Sequence, residues 1–340
     1  MTASPLPALP NLGVTIAGVG SAVPGRVLSN KDLEDVMETS DEWIAQRTGI
    51  RERRVHTPGN ETNASLGADA LRAAMADANT DATELDLVIT ATMTADMPTP
   101  SASCLITHSI GAGNIGAFDL NAACSGFVFG INVAHGMIRN GMARTIGLVG
   151  VDIVTKFLDY STFGRGASIL FGDAAGAVIL KVTDDTSKGL IAQAMHSDGG
   201  GSKHLFVPTC TADFFNRDDA DERKLCKVQM NGQAVFRFAV TKFPMLIAET
   251  LEKASLSSDD VDHYICHQSN MRILTAARER FGLPEEKLHI NVDRFGNTVA
   301  ASVPLVLDEL TKAGRIHEGQ KVMFLGFGAG LTWGSSLWQL

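Results

Sequence analysis

Three residues far apart in the chain are suited to one piece of chemistry: the thiol of Cys124, the imidazole of His267 and the carboxamide of Asn297. Cys124 lies in "AFDLNAACSGFVFG" (117–130), after a short apolar run. It opens a stretch in which Cys124, Phe127, Val128, Ile131 and Ile138 recur at helical spacing, with Asn140 and Gly141 as the closing cap. The spacing predicts a thiol in the first helical turn, where the helix dipole and unpaired N–H groups favour the nucleophilic thiolate. Ala122, Ala123, Ser125 and Gly126 are small enough to leave room for a ligand. An inert core cysteine fits the same position, and position alone does not separate the two. His267 falls just past a strand-like run and before a helix, and Asn297 sits in a glycine-containing turn before another helix. All three stand at the carboxyl ends of strands, where open α/β sheets bind ligands. A neutral imidazole and a carboxamide both donate to an oxygen that is gaining negative charge, as when a carbonyl becomes an enolate. Singly, His267 also reads as a satisfied structural histidine and Asn297 as a turn residue; with Cys124 the set is far more specific.

The elements that must hold these side chains alternate. Residues 86–95 (DLVITATMTA), 117–121 (AFDLN) and 145–154 (TIGLVGVDIV) are apolar runs suited to buried parallel strands, with helical stretches such as NASLGADALRAAMADA between them. The second half repeats the rhythm, with VDHYICHQ, HINVD and KVMFLGF as strands and QAVFRFAVTKFPMLIAETLEKA as a long helix. Each half closes on a glycine-rich segment read as a hairpin, at 171–182 and at 326–340. An internal duplication is expected, with residues 1–182 carrying the cysteine and 183–340 the histidine and asparagine. Residues 196–225 are polar and glycine-rich, and are expected to form a surface excursion near the shared pocket.

With 340 residues, 45% of them hydrophobic, the chain can bury one large core or two ordinary ones. A formal net charge of -9 argues against nucleic acid or an acidic membrane as the main partner. No run of about 18 apolar residues occurs, and the N-terminus lacks the features of a secretory signal. A cytoplasmic protein is expected. Five cysteines (Cys104, Cys124, Cys210, Cys226 and Cys266) lack CxxC or metal-ligand spacing, so reduced thiols and no metal site are expected.

The motifs TSDEWIAQRTGIRERR (39–54), AACSGF (122–127), FGDAAGAVIL (171–180), HSDG (196–199), HQSNMRI (267–273), GNTVAASVP (296–304) and GFGAGLTWGSS (326–336) occur in order along nearly the whole chain. In them the chain resembles the β-ketoacyl-acyl-carrier-protein synthase III (KAS III) family of the thiolase superfamily. The resemblance implies an α/β thiolase-like fold, duplicated in five αβαβα layers, usually as a homodimer. It also implies decarboxylative Claisen condensation of an acyl-CoA with a malonyl-carrier protein, which starts fatty acid biosynthesis and needs no cofactor. Cys124 would be the acylated nucleophile, and His267 and Asn297 would stabilise the enolate. The oxyanion hole would use the backbone N–H groups of Cys124 and Ala329, a position where many members have glycine; alanine keeps the N–H.

The same resemblance assigns Trp43, Arg47 and Arg165 to the CoA nucleotide, Arg272 to the acidic acyl carrier protein, and Cys104 and Cys266 to structure. Thr99 stands where members often have a bulky aromatic that closes the partner subunit's acyl pocket. That implies room for a chain longer than acetyl, unless a neighbour such as Met97 fills the space. Three other readings are kept: a papain-like Cys-His-Asn hydrolase, an acyltransferase or condensing enzyme of a specialised polyketide-type pathway, and a non-catalytic scaffold. The first does not explain the paired glycine-rich segments, the second leaves the catalytic residues unchanged, and the third has no need of all three together.

Overall fold

The computed structural model describes residues 12–340, so the reading of the first residues as lacking a secretory signal lies outside the described residues. In chain order the strands of the first half are β1 (Gly13–Ala22), β2 (Arg26–Ser29), β3 (Glu52–Val55), β4 (Leu87–Ala91), β5 (Gly116–Leu120), β6 (Thr145–Asp152) and β7 (Ala174–Thr183). Those of the second are β8 (Gly189–Ser197), β9 (Leu205–Phe206), β10 (Gln229–Met230), β11 (His263–Cys266), β12 (Lys321–Gly328) and β13 (Thr332–Gln339). The helices are α1 (Asn30–Glu34), α2 (Asp41–Thr48), α3 (Asn63–Asp77), α4 (Ala102–Ile110), α5 (Gly126–Arg139), α6 (Arg165–Ser168), α7 (Gly232–Ala254), α8 (Met271–Phe281), α9 (Val292–Phe295) and α10 (Ser302–Lys312).

Two sheets carry the architecture. The first has the order β1-β7-β6-β4-β5, with β4 parallel to both neighbours; the second has the order β11-β12-β13-β8, with β11 and β12 parallel. Strand β6 buries all eight of its residues, the pattern of a strand covered on both faces. Helices α3 and α4 cover the outer face of the first sheet, α5 and α10 touch strands of both sheets from the layer between them, and α7 with α8 covers the second. Five layers, αβαβα, result. Helix α3 starts on a capping box, in which Thr62 accepts from the Ser65 N–H and Ser65 reaches back. Its alanine face sits so close to β1 that a Cβ on Gly20 would lie 2.3 Å from the Ala74 nitrogen. Helix α5 is apolar nearly all round because sheets flank it on two sides.

The expected strands at 117–121 and 145–154 occur within a residue or two, and α7 runs through Pro244 without a break. Elsewhere the structure corrects the sequence reading. The run 86–95 yields only β4, because Met93 N–H and the Thr92 and Thr94 hydroxyls turn away to the buried Asp152 carboxylate. Residues 289–293 form no strand: the His289 carbonyl and the Asn291 and Val292 N–H groups bond the Gln268 side chain, and α9 follows. The segment 171–182 is not a hairpin; its strand β7 lies between β1 and β6. The segment 326–340 is one, formed by β12 and β13. Strands β1 and β8, and the short β2, β3, β9 and β10, have no counterpart among the expected strands. No helix among the described residues is long and apolar enough to cross a membrane.

Candidate active site

Two tight turns, one before each central helix, build the site. In the first, Ala123 adopts φ +47°, its N–H bonds Asn121 Oδ1 at 3.2 Å, and a short 3-10 turn carries Cys124 into α5. In the second, Val299 adopts φ +51°, its N–H bonds Asn297 Oδ1 at 2.9 Å, and the chain enters α10. A β-branched residue in the left-handed region is strained, and such strain concentrates at functional sites. The end of β12 passes directly over Cys124. A Cβ on Gly328 would lie 2.7 Å from Cys124 Cβ and 3.0 Å from its Sγ, so only glycine admits this approach.

Cys124 is buried, and the N–H groups of Cys124 itself and of Ala329 donate to its sulfur. These are the two donors expected for an oxyanion. The expected resting thiolate is not found. Burial, with the Asp152 carboxylate adding a like charge, pushes the thiol up to about 12, outweighing both donors. His267 is also buried, and desolvation pushes it down to about 3, so its ring is neutral at physiological pH. Its Nδ1 lies 3.1 Å from Ser302 Oγ, itself 3.1 Å from Thr298 Oγ1, and Phe327 meets the ring edge to face. Asn297 is fixed at three points: its N–H donates to the Leu170 carbonyl, its carbonyl accepts from Gly172 N–H, and its Oδ1 holds Val299. The Nδ2 group is what remains for a ligand.

Cys124 stands where two cavities meet. One, of about 260 Å³, runs from Trp43 and Arg47 to Cys124, His267 and Asn297, with Gly328 and Phe327 on its wall. The other, of about 460 Å³, is lined by Met93, Val154, Phe157, Phe206, Val228 and Ala329, among others, and is mostly apolar. The Arg47 and Arg165 guanidinium carbons lie 4.5 and 4.8 Å from the Trp43 ring centroid, so these three expected residues form one cluster at the mouth. Arg272 is exposed on the first turn of α8, with its guanidinium 5.4 Å from the Phe236 ring. Thr99 is exposed and lines neither cavity of its own chain. Cys266 is buried in the core beside β12, whereas Cys104 is exposed on α4.

Residues 118–199 match the family described as 3-oxoacyl-[acyl-carrier-protein (ACP)] synthase III, and residues 251–340 match its C-terminal part. A β-ketoacyl-[acyl-carrier-protein] synthase III from Clostridium acetobutylicum is 42% identical over 324 residues, covering 95% of this chain and 97% of the relative. The chain belongs to the 3-oxoacyl-[acyl-carrier-protein] synthase III family. A relative of the same description from Roseiflexus is 44% identical over 322 residues, covering 95% of this chain and 97% of its own. The crystal structure of the Aquifex aeolicus synthase III has a TM-score of 0.89 at 35% identity, covering 96% of this chain and 100% of that one. The priming β-ketosynthase of the R1128 polyketide pathway has a TM-score of 0.88 at 34% identity, covering 99% of this chain and 98% of that one. The five layers are the α/β thiolase-like fold of this family.

Sequence reasoning missed the supports of the site. Ser302 and Thr298, which hold His267, lie within a motif already noticed, but nothing in their identity marks them as its partners. Asp152 ends a wholly buried strand; a carboxylate there is itself a signal, because such a group survives burial only with partners. It accepts from Met93 N–H at 2.9 Å and Ala300 N–H at 3.1 Å, tying the wall of the larger cavity to the Asn297 turn.

Proposed function

We propose that Cys124, His267 and Asn297 carry a two-stage condensation in which the two cavities serve opposite ends of one substrate. As a synthase III the protein is an acyl-transferring condensing enzyme that initiates fatty acid synthesis. The observation that carries the residue assignment is the position of Cys124 between a cleft with a Trp43-arginine mouth and a larger apolar cavity. In the first stage the Cys124 sulfur attacks the acyl-CoA carbonyl. The thiol proton passes to His267, the one base among the residues lining the cleft. The carbonyl oxygen gains charge against the N–H groups of Cys124 and Ala329. The carbon–sulfur bond to CoA then breaks, CoA thiolate takes the proton from His267, and the acyl chain remains on Cys124 in the apolar cavity.

In the second stage the malonyl thioester of the acyl carrier protein enters the vacated cleft. Its carbon–carboxylate bond breaks, CO2 leaves, and the electron pair forms an enolate whose oxygen accepts from His267 and Asn297. The enolate carbon attacks the acyl-cysteine carbonyl, the bond from that carbon to the Cys124 sulfur breaks to give the β-ketoacyl product, and the Cys124 thiolate takes its proton from solvent. A neutral imidazole suits this step, since it offers an N–H without attracting the malonyl carboxylate by charge. No cofactor takes part: acyl-CoA and the malonyl carrier are substrates.

Trp43, Arg47 and Arg165 bind the CoA nucleotide, and Arg272 meets the carrier protein. Strand β5 supports a homodimer: it is one of the two edges of the first sheet, all five residues are at least partly exposed, and Phe118 is 37% exposed. In that dimer Thr99 would reach the partner's acyl cavity. We also assign residues 1–182 and 183–340 to two related halves, supported by the matching strained turns before α5 and α10, and the protein to the cytoplasm. A second reading, priming of a polyketide-type chain, is supported by the likeness to the R1128 priming enzyme and by the size of the apolar cavity.

The test is intact mass after incubation with acetyl-CoA and longer acyl-CoAs, for wild type and Cys124→Ala, followed by malonyl-carrier protein. An adduct that needs Cys124 and is discharged to a β-keto product with loss of CO2 is expected. An adduct that persists until a different acceptor is supplied would favour a specialised pathway. No adduct at all would remove Cys124 as the nucleophile.

A further inference from the structure

The loop 267–270 between β11 and α8 carries four polar side chains, of which His267, Ser269 and Asn270 line the thioester cleft while Gln268 is buried behind it, and three of the four have structural partners. His267 is held by Ser302. Gln268 donates to the Cys266 and His289 carbonyls and accepts from the Asn291 and Val292 N–H groups. Asn270 donates to the Arg47 carbonyl at 3.2 Å and caps α8 by accepting from the Arg272 N–H at 2.9 Å. Ser269 differs: its hydroxyl is buried and has no hydrogen-bond partner, although the residue lines the cleft with His267, Asn270, Cys124 and Asn297. A buried hydroxyl without a partner is costly, and an unexplained one calls for a reason. Its location supplies one. In sequence it stands between His267, at the thioester end, and Asn270, which contacts Arg47 at the mouth.

We propose that Ser269 is a substrate-binding residue whose hydroxyl hydrogen-bonds the pantetheine amide nearest the thioester sulfur. This rests on the synthase reading above, in which the acyl donor and the malonyl donor present the same pantetheine arm. That amide is separated from the sulfur only by an ethylene group. It is a polar group of the arm that passes the level of Ser269 when the thioester reaches Cys124, and it offers both a carbonyl and an N–H to the hydroxyl. Ser269 therefore binds both donors alike and strengthens ground-state binding rather than the chemical steps.

The experiment compares wild type, Ser269→Ala and Ser269→Thr in acylation of Cys124 by butyryl-CoA and by butyryl-N-acetylcysteamine, which keeps only that amide. Ser269→Ala is expected to raise KM about three- to tenfold for both donors, the worth of one ordinary hydrogen bond, with kcat within about twofold. Ser269→Thr should recover most of the loss. The Tm of Ser269→Ala should equal or exceed that of wild type, since an unpaired buried hydroxyl is removed; a merely structural role would lower it. An unchanged KM would overturn the inference, as would a loss seen with the CoA ester but not with the truncated one, or a fall in Tm and kcat at constant KM. If wild type is not acylated by either donor, the synthase reading fails instead, and this inference falls with it.

Discussion

Gly328→Ala isolates the contact between the end of β12 and the nucleophile. The added Cβ would stand 2.7 Å from Cys124 Cβ, and 3.0 Å from both its nitrogen and its sulfur. Carbon–carbon contact is comfortable at about 3.5 Å, so the two backbones must separate by about 0.8 Å. Both are anchored. The Cys124 turn is held by the Thr332 hydroxyl, which donates to the Ala122 carbonyl at 3.1 Å, and β12 pairs along its whole length with β13. The shift therefore falls largely on the space between the Cys124 and Ala329 N–H groups, where the oxyanion must form. Misplacement by about 1 Å costs on the order of 100-fold, and loss of one oxyanion donor costs about 10² to 10³. We expect acylation by acyl-CoA, followed by stopped-flow release of CoA, to slow about 100-fold or more. Overpacking should cost about 1–3 kcal/mol, which a protein of this size survives folded. Gly328 does not have a positive φ, so the effect is steric and not a backbone penalty. Ala329→Gly, which keeps its N–H, should acylate within about threefold of wild type. A folded Gly328→Ala protein that acylates at the wild-type rate would refute the placement of the oxyanion between these two groups.

The remaining predictions concern protons. Because the Cys124 thiol is pushed up to about 12, its alkylation by iodoacetamide should rise about tenfold per pH unit from pH 7 to 10 without a plateau. Removing the nearby charge in Asp152→Asn should move the profile to lower pH; a plateau near pH 7 in wild type would contradict the assignment. His267, held at about 3, predicts no inflection from this group in the condensation rate between pH 5 and 8, and a step near pH 6.5 would count against it. The buried pair His263 and His289, 2.9 Å apart, lies beside Arg315, and Gln320 and Asp262 face His263. Both pKa values are lowered, His289 to about 4, so the unfolded chain binds more protons between about pH 6.5 and pH 4. Their contribution is therefore complete above pH 6.5 and is lost as pH falls. Urea unfolding should show stability dropping by on the order of 1–2 kcal/mol from pH 7 to 5, and His289→Gln should flatten that slope.

What the sequence revealed, and what it hid, divides along a physical line. Long apolar runs announced β6, β12 and the central α5 because burial on two faces leaves no polar residues to break the pattern. Cys124 and His267 were legible for a related reason, since each stands just past a short apolar run; Asn297 was legible from its glycine-containing turn, but it follows α9 and not the strand end expected of it. Residues 289–293 misled because an apolar-polar alternation says nothing about which donors will meet the backbone; the Gln268 amide took the groups a neighbouring strand would have used. The thiol's ionisation was misjudged on similar grounds. The start of a helix at Cys124 is a local property, whereas its desolvation and the charge of Asp152, a residue of β6, arise only from the assembled sheets.

The raised thiol and lowered imidazole determine how the site works. With the thiol raised and the imidazole lowered, neither group of the pair carries a charge at rest, and the pair stores no thiolate for oxidants or stray electrophiles. The nucleophile must then be made when it is used. Proton transfer from Cys124 to His267 is unfavourable by itself, because it creates two charges in a desolvated cleft. It becomes favourable when the negative charge moves at once onto an oxygen held by two backbone N–H groups, which do not have to reorganise. Only a carbonyl seated against Cys124 and Ala329 supplies that oxygen, so ionisation is tied to occupancy of the cleft. In the second stage no thiolate is needed until the product leaves; the ring proton then sits on the cleft-facing nitrogen, the tautomer opposite to the one that accepts the thiol proton, and the Ser302 hydroxyl, 3.1 Å from Nδ1, serves either tautomer as acceptor or donor. One buried imidazole can therefore serve both stages in turn, as a proton acceptor in the first and a hydrogen-bond donor in the second.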